Sequence, residues 1–352
     1  MIRKIRKKEE ITSESARITS DTIAEHREKV LAGGRRFKYP VQYVRHKLVF
    51  NAIIVGIALI VLLVAFTWWQ LYIVQNTSDF MYRVTRVIPV PVASVDGQQV
   101  RYSDYLMKYR SSVHYLQEKE QVNFNTEDGR RQSDFVKSQA MSDAIADAYA
   151  IKIAKEKSIT VSDTELETFL KLQRESEDGE VSQAAYDAVI LDYYGWSPAE
   201  YRYATKTKLL RQKVAYAVDE DSTKTLEIAE EQIKAAGNKS LKTIAESVNK
   251  VAPRSVRYDA PGFVPRTNQD GGLAEAAISL KKGQISGVIK PMNGDGYWFV
   301  RLLDINETQV SYEAIHIPLA TLAEQVSLIA SDSDMVTTYI SIPDLVNNQE
   351  EE

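Results

Sequence analysis

Hydrophobic positions fall into one long block and many short periodic segments. Residues 49–74 pass 26 positions without a charged side chain. A helix of about 20 such residues crosses the hydrocarbon core of a bilayer. Trp68, Trp69 and Tyr72 gather near the distal end, where an aromatic belt is expected. The block predicts a transmembrane helix over 49–74. A cleaved signal peptide has a shorter basic lead and a shorter apolar core, so an uncleaved signal anchor fits better. Upstream, residues 1–40 are polar. Ile18, Ile23 and Val30 give a thin stripe for a short amphipathic helix within 11–31.

Downstream, 75–91 reads as a connector. Residues 90–100 predict two short strands around an Asp96-Gly97 turn. Ser103 then stands where it would cap a helix carrying Tyr105, Leu106, Tyr109, Val113 and Leu116. A polar break at 123–129 precedes the most periodic segment, about 132–157. There Met141, Ile145 and Tyr149 recur every four residues, and Phe135, Ala144, Ala148 and Ile153 widen the stripe, a core-packing pattern. Ser162 with Glu165 and Ser197 with Glu200 form two capping-box patterns, the second reinforced by Pro198. The second opens a helix to about 218. Between them, 182–194 predicts a helix stopped by Gly195.

The pattern then changes. Helices are predicted at 225–236, ended by Gly237, at 241–248 and at 272–280. A turn at Lys282-Gly283 leads to strands at 284–289, 297–303 and 310–317, with a hairpin loop at 293–296. A last striped helix runs through Leu322, Val326 and Ile329, before an acidic tip at Glu350, Glu351 and Glu352. The predicted fold class is α+β: a single transmembrane helix, a helical domain and an antiparallel-sheet domain.

Charge orients the chain. The net charge of -4 over 352 residues divides unevenly. Residues 1–48 hold thirteen Lys/Arg against six Asp/Glu, a net of +7, and the remainder holds 31 against 42, a net of -11. The positive-inside rule puts the N-terminus in the cytoplasm and the large C-terminal part outside. The basic arm suits anionic lipid, and the small overall charge argues against nucleic acid as a partner. There is no cysteine, which excludes a disulfide framework, a thiolate nucleophile and a cysteine-ligated metal. His26, His46, His114 and His316 have no metal-ligand spacing. No G-x-S-x-G elbow, P-loop or dinucleotide fingerprint occurs. No cofactor and no metal are expected.

Three segments in order carry a resemblance. Val95-Asp96-Gly97 with Tyr102-Ser103-Asp104-Tyr105 resembles the opening of SurA-type periplasmic chaperones and their membrane-anchored foldase relatives. The run 155–166 is similar to their segment before a capped helix, with Ser158 in place of the usual glycine. The run 194–202 is similar to the start of their last helix. The resemblance implies a helical module that holds unfolded or extended clients.

Residues 273–289, followed by Gly296-Tyr297-Trp298-Phe299-Val300, resemble a parvulin-type (PpiC) prolyl isomerase domain. The likeness departs where that family's chemistry sits. Trp298 takes the place of the second of the family's two histidines, and Leu273 takes that of its aromatic pocket floor. Residues 215–218, at about the place of its histidine-bearing first strand, hold no histidine. Residues 312–319 look like that missing strand, carrying His316. They would either complete the sheet as a permuted strand or open a second, unfinished copy.

The expected organisation is a cytoplasmic arm (1–48), a transmembrane helix (49–74), a connector (75–91), a helical SurA-like domain (92–218), a parvulin-like domain (219–319) and a C-terminal helix and tail (320–352). The expected function is a chaperone anchored in the plasma membrane and binding extracytoplasmic client polypeptides. Its parvulin-like domain is expected to be weak or inactive. A working prolyl isomerase with an altered pocket and an envelope scaffold are the alternatives. Prolyl isomerisation needs only an apolar grip that favours the twisted imide. Phe263, Leu273, Ile278 and Trp298 are the candidates for that proline pocket, with Trp298 and His316 as the candidates for a catalytic part. The helix spacing of Ile278 and Leu273 fits a core face better than a pocket.

Overall fold

The computed structural model describes residues 19–38, 40–176, 179–237, 239–291, 294–320 and 335–343, and among these the side chains outside 34–46 and 176. The chain forms two compact units, Met1–Val74 and Gln75–Glu352.

The first unit is helical: α1 (Ser20–Lys38), α2 (Pro40–Trp68) and a π-helical turn at Trp69–Ile73. Lys47–Ile73 is long and apolar enough to cross a membrane; its apolar core has a mean hydropathy of 3.0 and is unburied, and Leu71 near the distal end is buried. Phe66 and Trp69 lie 6.1 Å apart at its distal end, as do Trp68 and Tyr72.

The second unit begins where a connector was expected, yet Asp79–Val87 is a helix, α3. Ser78 caps it by accepting from the Met81 amide. Met81, Tyr82 and Thr85 are buried, and α3 packs on α4. The hairpin follows as β1 (Pro91–Val95) and β2 (Gln98–Arg101). Asp96 (φ 46°) and Gly97 (φ 76°) form its two-residue turn, both left-handed, which matches strand twist. Helix α4 (Tyr102–Glu118) starts directly from β2. Ser103 therefore does not cap it: the Tyr102 amide bonds the Val90 carbonyl, so the strand pairing serves that donor, and Ser103 is buried in the first turn. Helix α5 (Glu127–Glu156) begins five residues before the expected start, because Thr126 accepts from the Gly129 amide.

Helix α6 (Asp163–Leu172), a small ribbon of β3 (Glu175–Ser176) and β4 (Gly179–Glu180), α7 (Gln183–Tyr194) and α8 (Pro198–Val218) complete the helical lobe. Both capping boxes are closed reciprocally, at Ser162/Glu165 and Ser197/Glu200. Gly195 stops α7 with φ 65°, a left-handed C-cap that glycine adopts at little cost. Val214 of α8 packs on Ala150 and Ala154 of α5, small residues that let the two helices approach closely.

The sheet lobe opens with α9 (Glu220–Ala235), five residues earlier than the periodicity suggests, because Asp219 caps it through the Ser222 amide at 2.9 Å. Next come α10 (Leu241–Val248), β5 (Arg257–Pro265), α11 (Leu273–Ile278), β6 (Gly296–Ile305) and β7 (Gln309–Pro318). The order is β5-β7-β6, all antiparallel, so the strand bearing His316 is central. The strand expected at 284–289 is reduced to two bridges, Ile285 with Arg301 and Ile289 with Trp298. Tyr297, Phe299, Ile315 and Ile317 form one face and pack with Leu241, Ile244 and Val248 of α10. Val300, Leu302, Tyr312 and Ala314 form the other and pack with Leu273, Ala274 and Ala277 of α11. Strand β8 (Val336–Thr338) returns to pair with β1, giving a second sheet ordered β2-β1-β8. The expected helix through Leu322, Val326 and Ile329 and the acidic tip at Glu350–Glu352 lie outside the described residues, as does Asn293 of the expected hairpin loop.

Candidate functional site

Two places carry functional interest. In the sheet lobe, register sets Trp298 of β6 directly opposite His316 of β7. Their rings stack 4.1 Å apart at an interplanar angle of 8°. Asp295 holds both polar edges: its carboxylate accepts from Trp298 Nε1 at 2.9 Å, and its carbonyl lies 3.0 Å from His316 Nε2. Gly296 beside them has φ 147°, and a Cβ there would meet the Ile317 carbonyl at 2.1 Å, so the turn requires glycine. Leu273 is buried, and Ile278 and Trp298 pack against the same cluster. Phe263 is paired with Ser311, one position out of step with Val264 and Val310, which belong to that cluster. It therefore lies on the opposite face of the sheet, half exposed. The structure brings together Leu273, Ile278, Trp298 and His316, and leaves Phe263 apart.

On the α10 face, Glu313 is buried and fully engaged. It pairs with Arg301 at 2.9 Å, accepts from the Leu241 amide at 3.0 Å and from the Tyr258 hydroxyl at 3.1 Å. Three partners on three different elements make it a tie that organises the lobe.

The helical lobe holds a groove of about 630 Å³. Helix α4 contributes Lys108, Ser111, Ser112, Tyr115 and Leu116, successive positions of one helical face. Helix α5 contributes Gln132, Phe135, Val136 and Asp143 in the same way. The left-handed turn at Gly195 swings Tyr194 and Trp196 across the end, their rings stacked 5.0 Å apart. A Cβ on Gly195 would press on the His114 ring at 3.1 Å. Phe135, assigned by periodicity to the core stripe, is 53% exposed. It faces the groove because α5 carries apolar residues on more sides than the core can cover.

The groove wall is apolar and aromatic, and its rim is ionic. Lys108 pairs with Asp147 at 2.8 Å, and Arg211 bridges Asp143 and Asp147 at 3.4 and 3.2 Å. Tyr115 stacks on Tyr193, over which Lys119 Nζ sits at 4.9 Å. Trp196 Nε1 is buried with no acceptor among the described residues. Burial pushes the nearby Asp104 carboxyl above the usual carboxylate range, although the Tyr203 hydroxyl donates to it at 3.1 Å. The lining offers apolar and aromatic contact surface, with no metal-binding cluster among the described residues. Sequence reading missed this groove because its positions follow the same helical spacing as core positions. The Gly195-Trp196 turn was the only local sign of it.

No curated protein matches the chain, and no solved structure does. Residues 42–215 match the family model described as the SurA-like N-terminal domain, a segment that contains the whole groove and ends before α9.

Proposed function

We propose that the protein is a membrane-anchored chaperone that holds unfolded or extended polypeptides on its outer side. The observation that carries the reading is the aromatic groove between α4, α5 and the Gly195 turn, inside the segment that matches the SurA-like domain. A Phe- or Leu-sized side chain leaving water for such a groove gains about 1.5–3 kcal/mol. Several weak sites of that kind along an unfolded chain suit holding and release. Lys47–Ile73 serves as the anchor, and the +7 arm before it favours the cytoplasmic side.

The sheet lobe acts as a parvulin-like body with weak or no isomerase activity. Trp298 and His316 cover each other's ring faces, and Asp295 engages their polar edges. A proline ring entering there would have to break that stack.

The test uses the full chain in detergent micelles with a reduced, unfolded model client. Phe135→Asp should abolish suppression of aggregation and leave the melting temperature nearly unchanged, since the side chain is half exposed. Trp298→Ala should leave suppression intact. Proline-peptide isomerisation at the rate of a control parvulin, lost in Trp298→Ala, would overturn the inactive-lobe reading. Full protection by Phe135→Asp would overturn the groove reading.

A further inference from the structure

Helix α3 has one broad apolar face, and the fold covers only part of it. Met81, Tyr82 and Thr85 are buried on the side toward α4. On the uncovered part Phe80 and Val87 are 65% and 82% exposed, and at 100° per residue they fall in one sector with Val84 and Arg83; Ile88, the extended residue just past the helix, is 54% exposed. Three large apolar side chains on a nine-residue helix and its C-cap are an unusual thing to leave in water. Arg83 makes no ion pair among the described residues, and Arg86, paired with Glu200, is still half exposed.

The covalent connection narrows what can cover this face. The apolar span ends at Ile73, and α3 begins at Asp79. Six residues of fully extended chain reach about 20 Å at most. The polar interfacial layer of a bilayer is itself about 5–8 Å deep on each side. A helix on so short a leash, apolar outward and flanked by arginine, has the features of one that lies in the lipid interface. We infer that the Phe80–Val87–Ile88 face of α3 docks on the bilayer surface, with Arg83 and Arg86 toward anionic headgroups. This rests on the anchoring proposed above. It adds a second, lateral contact that would hold the lobes at a fixed height over the membrane.

The chain has no cysteine, so single labels can be introduced without background. The full chain is reconstituted in liposomes of mixed phosphatidylcholine and phosphatidylglycerol. Nitroxide labels are placed at Phe80→Cys, Val87→Cys and, as a control on the sheet lobe, Val251→Cys, which is 65% exposed. Labels at 80 and 87 should be several-fold more accessible to oxygen than to an aqueous nickel chelate, with the reverse at 251. Adding Arg83→Glu should raise nickel access at 87 in these anionic liposomes. Nickel access at 80 and 87 equal to that at 251 overturns the inference. Low access to both reagents also overturns it, because a protein surface then covers the face: another segment of the chain, a second copy or a client. Failure of the parent chain to float with liposomes is a different result, and it overturns the anchoring itself.

Discussion

At the scale of single residues, one motif does different work depending on what surrounds it. Glu165 and Glu200 both close capping boxes, yet their second oxygens differ in use. Glu165 Oε1 meets Lys213, which with the Ser162 amide and hydroxyl lowers its carboxyl to about 2, but the group is solvent-facing. Glu200 Oε1 accepts from the Tyr82 hydroxyl at 2.6 Å and from Arg86 at 3.2 Å, tying α3 to α8. Burial pushes the Glu200 carboxyl up, and the bonds from Ser197 and Tyr82 outweigh that and hold it below the usual range. Glu165→Ala should therefore cost about 1 kcal/mol, the value of a cap, and Glu200→Ala about 2–4 kcal/mol, because Tyr82 also loses its acceptor. Urea denaturation of the two variants checks the order. Asp104 behaves oppositely. Its folded-state carboxyl is raised, so it destabilises the fold above that value and the penalty lifts as pH falls through it. Asp104→Asn keeps an acceptor for Tyr203 and removes the charge. Its urea midpoint should exceed the parent's at pH 7, and the gap should close in mild acid. A gap that widens in acid would show that the carboxylate is net stabilising.

Secondary elements were legible where their cause is local. The two capping boxes, the Asp96-Gly97 turn and the Gly195 stop each act within four residues, and the structure has all of them. Elements whose cause is distant were not legible. Strand β5 is exposed along nearly its whole length and contains Pro261 and Pro265, so it has no alternation; pairing with β7 alone makes it a strand. Helix α3 spans only nine residues, too few turns for its stripe to repeat and stand out in the sequence. The groove could not be told from core, because Phe135 keeps the same helical spacing as Met141 and Ile145. Strand β8 is the extreme case. Val336–Thr338 pairs with Ala93–Val95 from the far end of the chain, the Asp96 amide bonds the Met335 carbonyl at 2.7 Å, and the Tyr339 amide bonds the Val92 carbonyl at 2.9 Å. Deleting 335–352 would leave β1 with an open edge beside Val92 and Val95, which are now fully buried. Amide hydrogen exchange at Asp96 should speed up by orders of magnitude in the deletion, while amides in the middle of α5 should change little. Equal protection of Asp96 in both chains would mean that β8 contributes no stability.

For the molecule as a whole, the question is whether the helical lobe and the sheet lobe unfold as one body. Helix α8 belongs to both. Val214 is in the α5 cluster, and two residues on Tyr216 packs edge-on to Tyr297 at 5.1 Å and donates to the Gly296 carbonyl at 2.6 Å. At the junction Asp219 is buried. It accepts from the Ser222 amide and hydroxyl and from the Ala320 amide, and it takes Arg254 at 3.0 and 3.1 Å. This one carboxylate joins the end of α8, the start of α9, the segment before β5 and the chain after β7. Arg254→Ala removes its only cation among the described residues and leaves a buried charge held by neutral donors, at a cost of about 3 kcal/mol. Two native tryptophans report the lobes separately: Trp196 at the groove and Trp298 in the His316 stack. With Trp298→Phe or Trp196→Phe as background, Trp68 and Trp69 remain common to both chains. The parent should show coincident urea midpoints for the two reporters. Arg254→Ala should lower the Trp298 midpoint well below that of Trp196, because the sheet lobe loses its tie while the α5–α8 packing stands. Separate midpoints already present in the parent would mean that the lobes are thermodynamically independent. A client held in the groove could then gain nothing from the sheet lobe beside it.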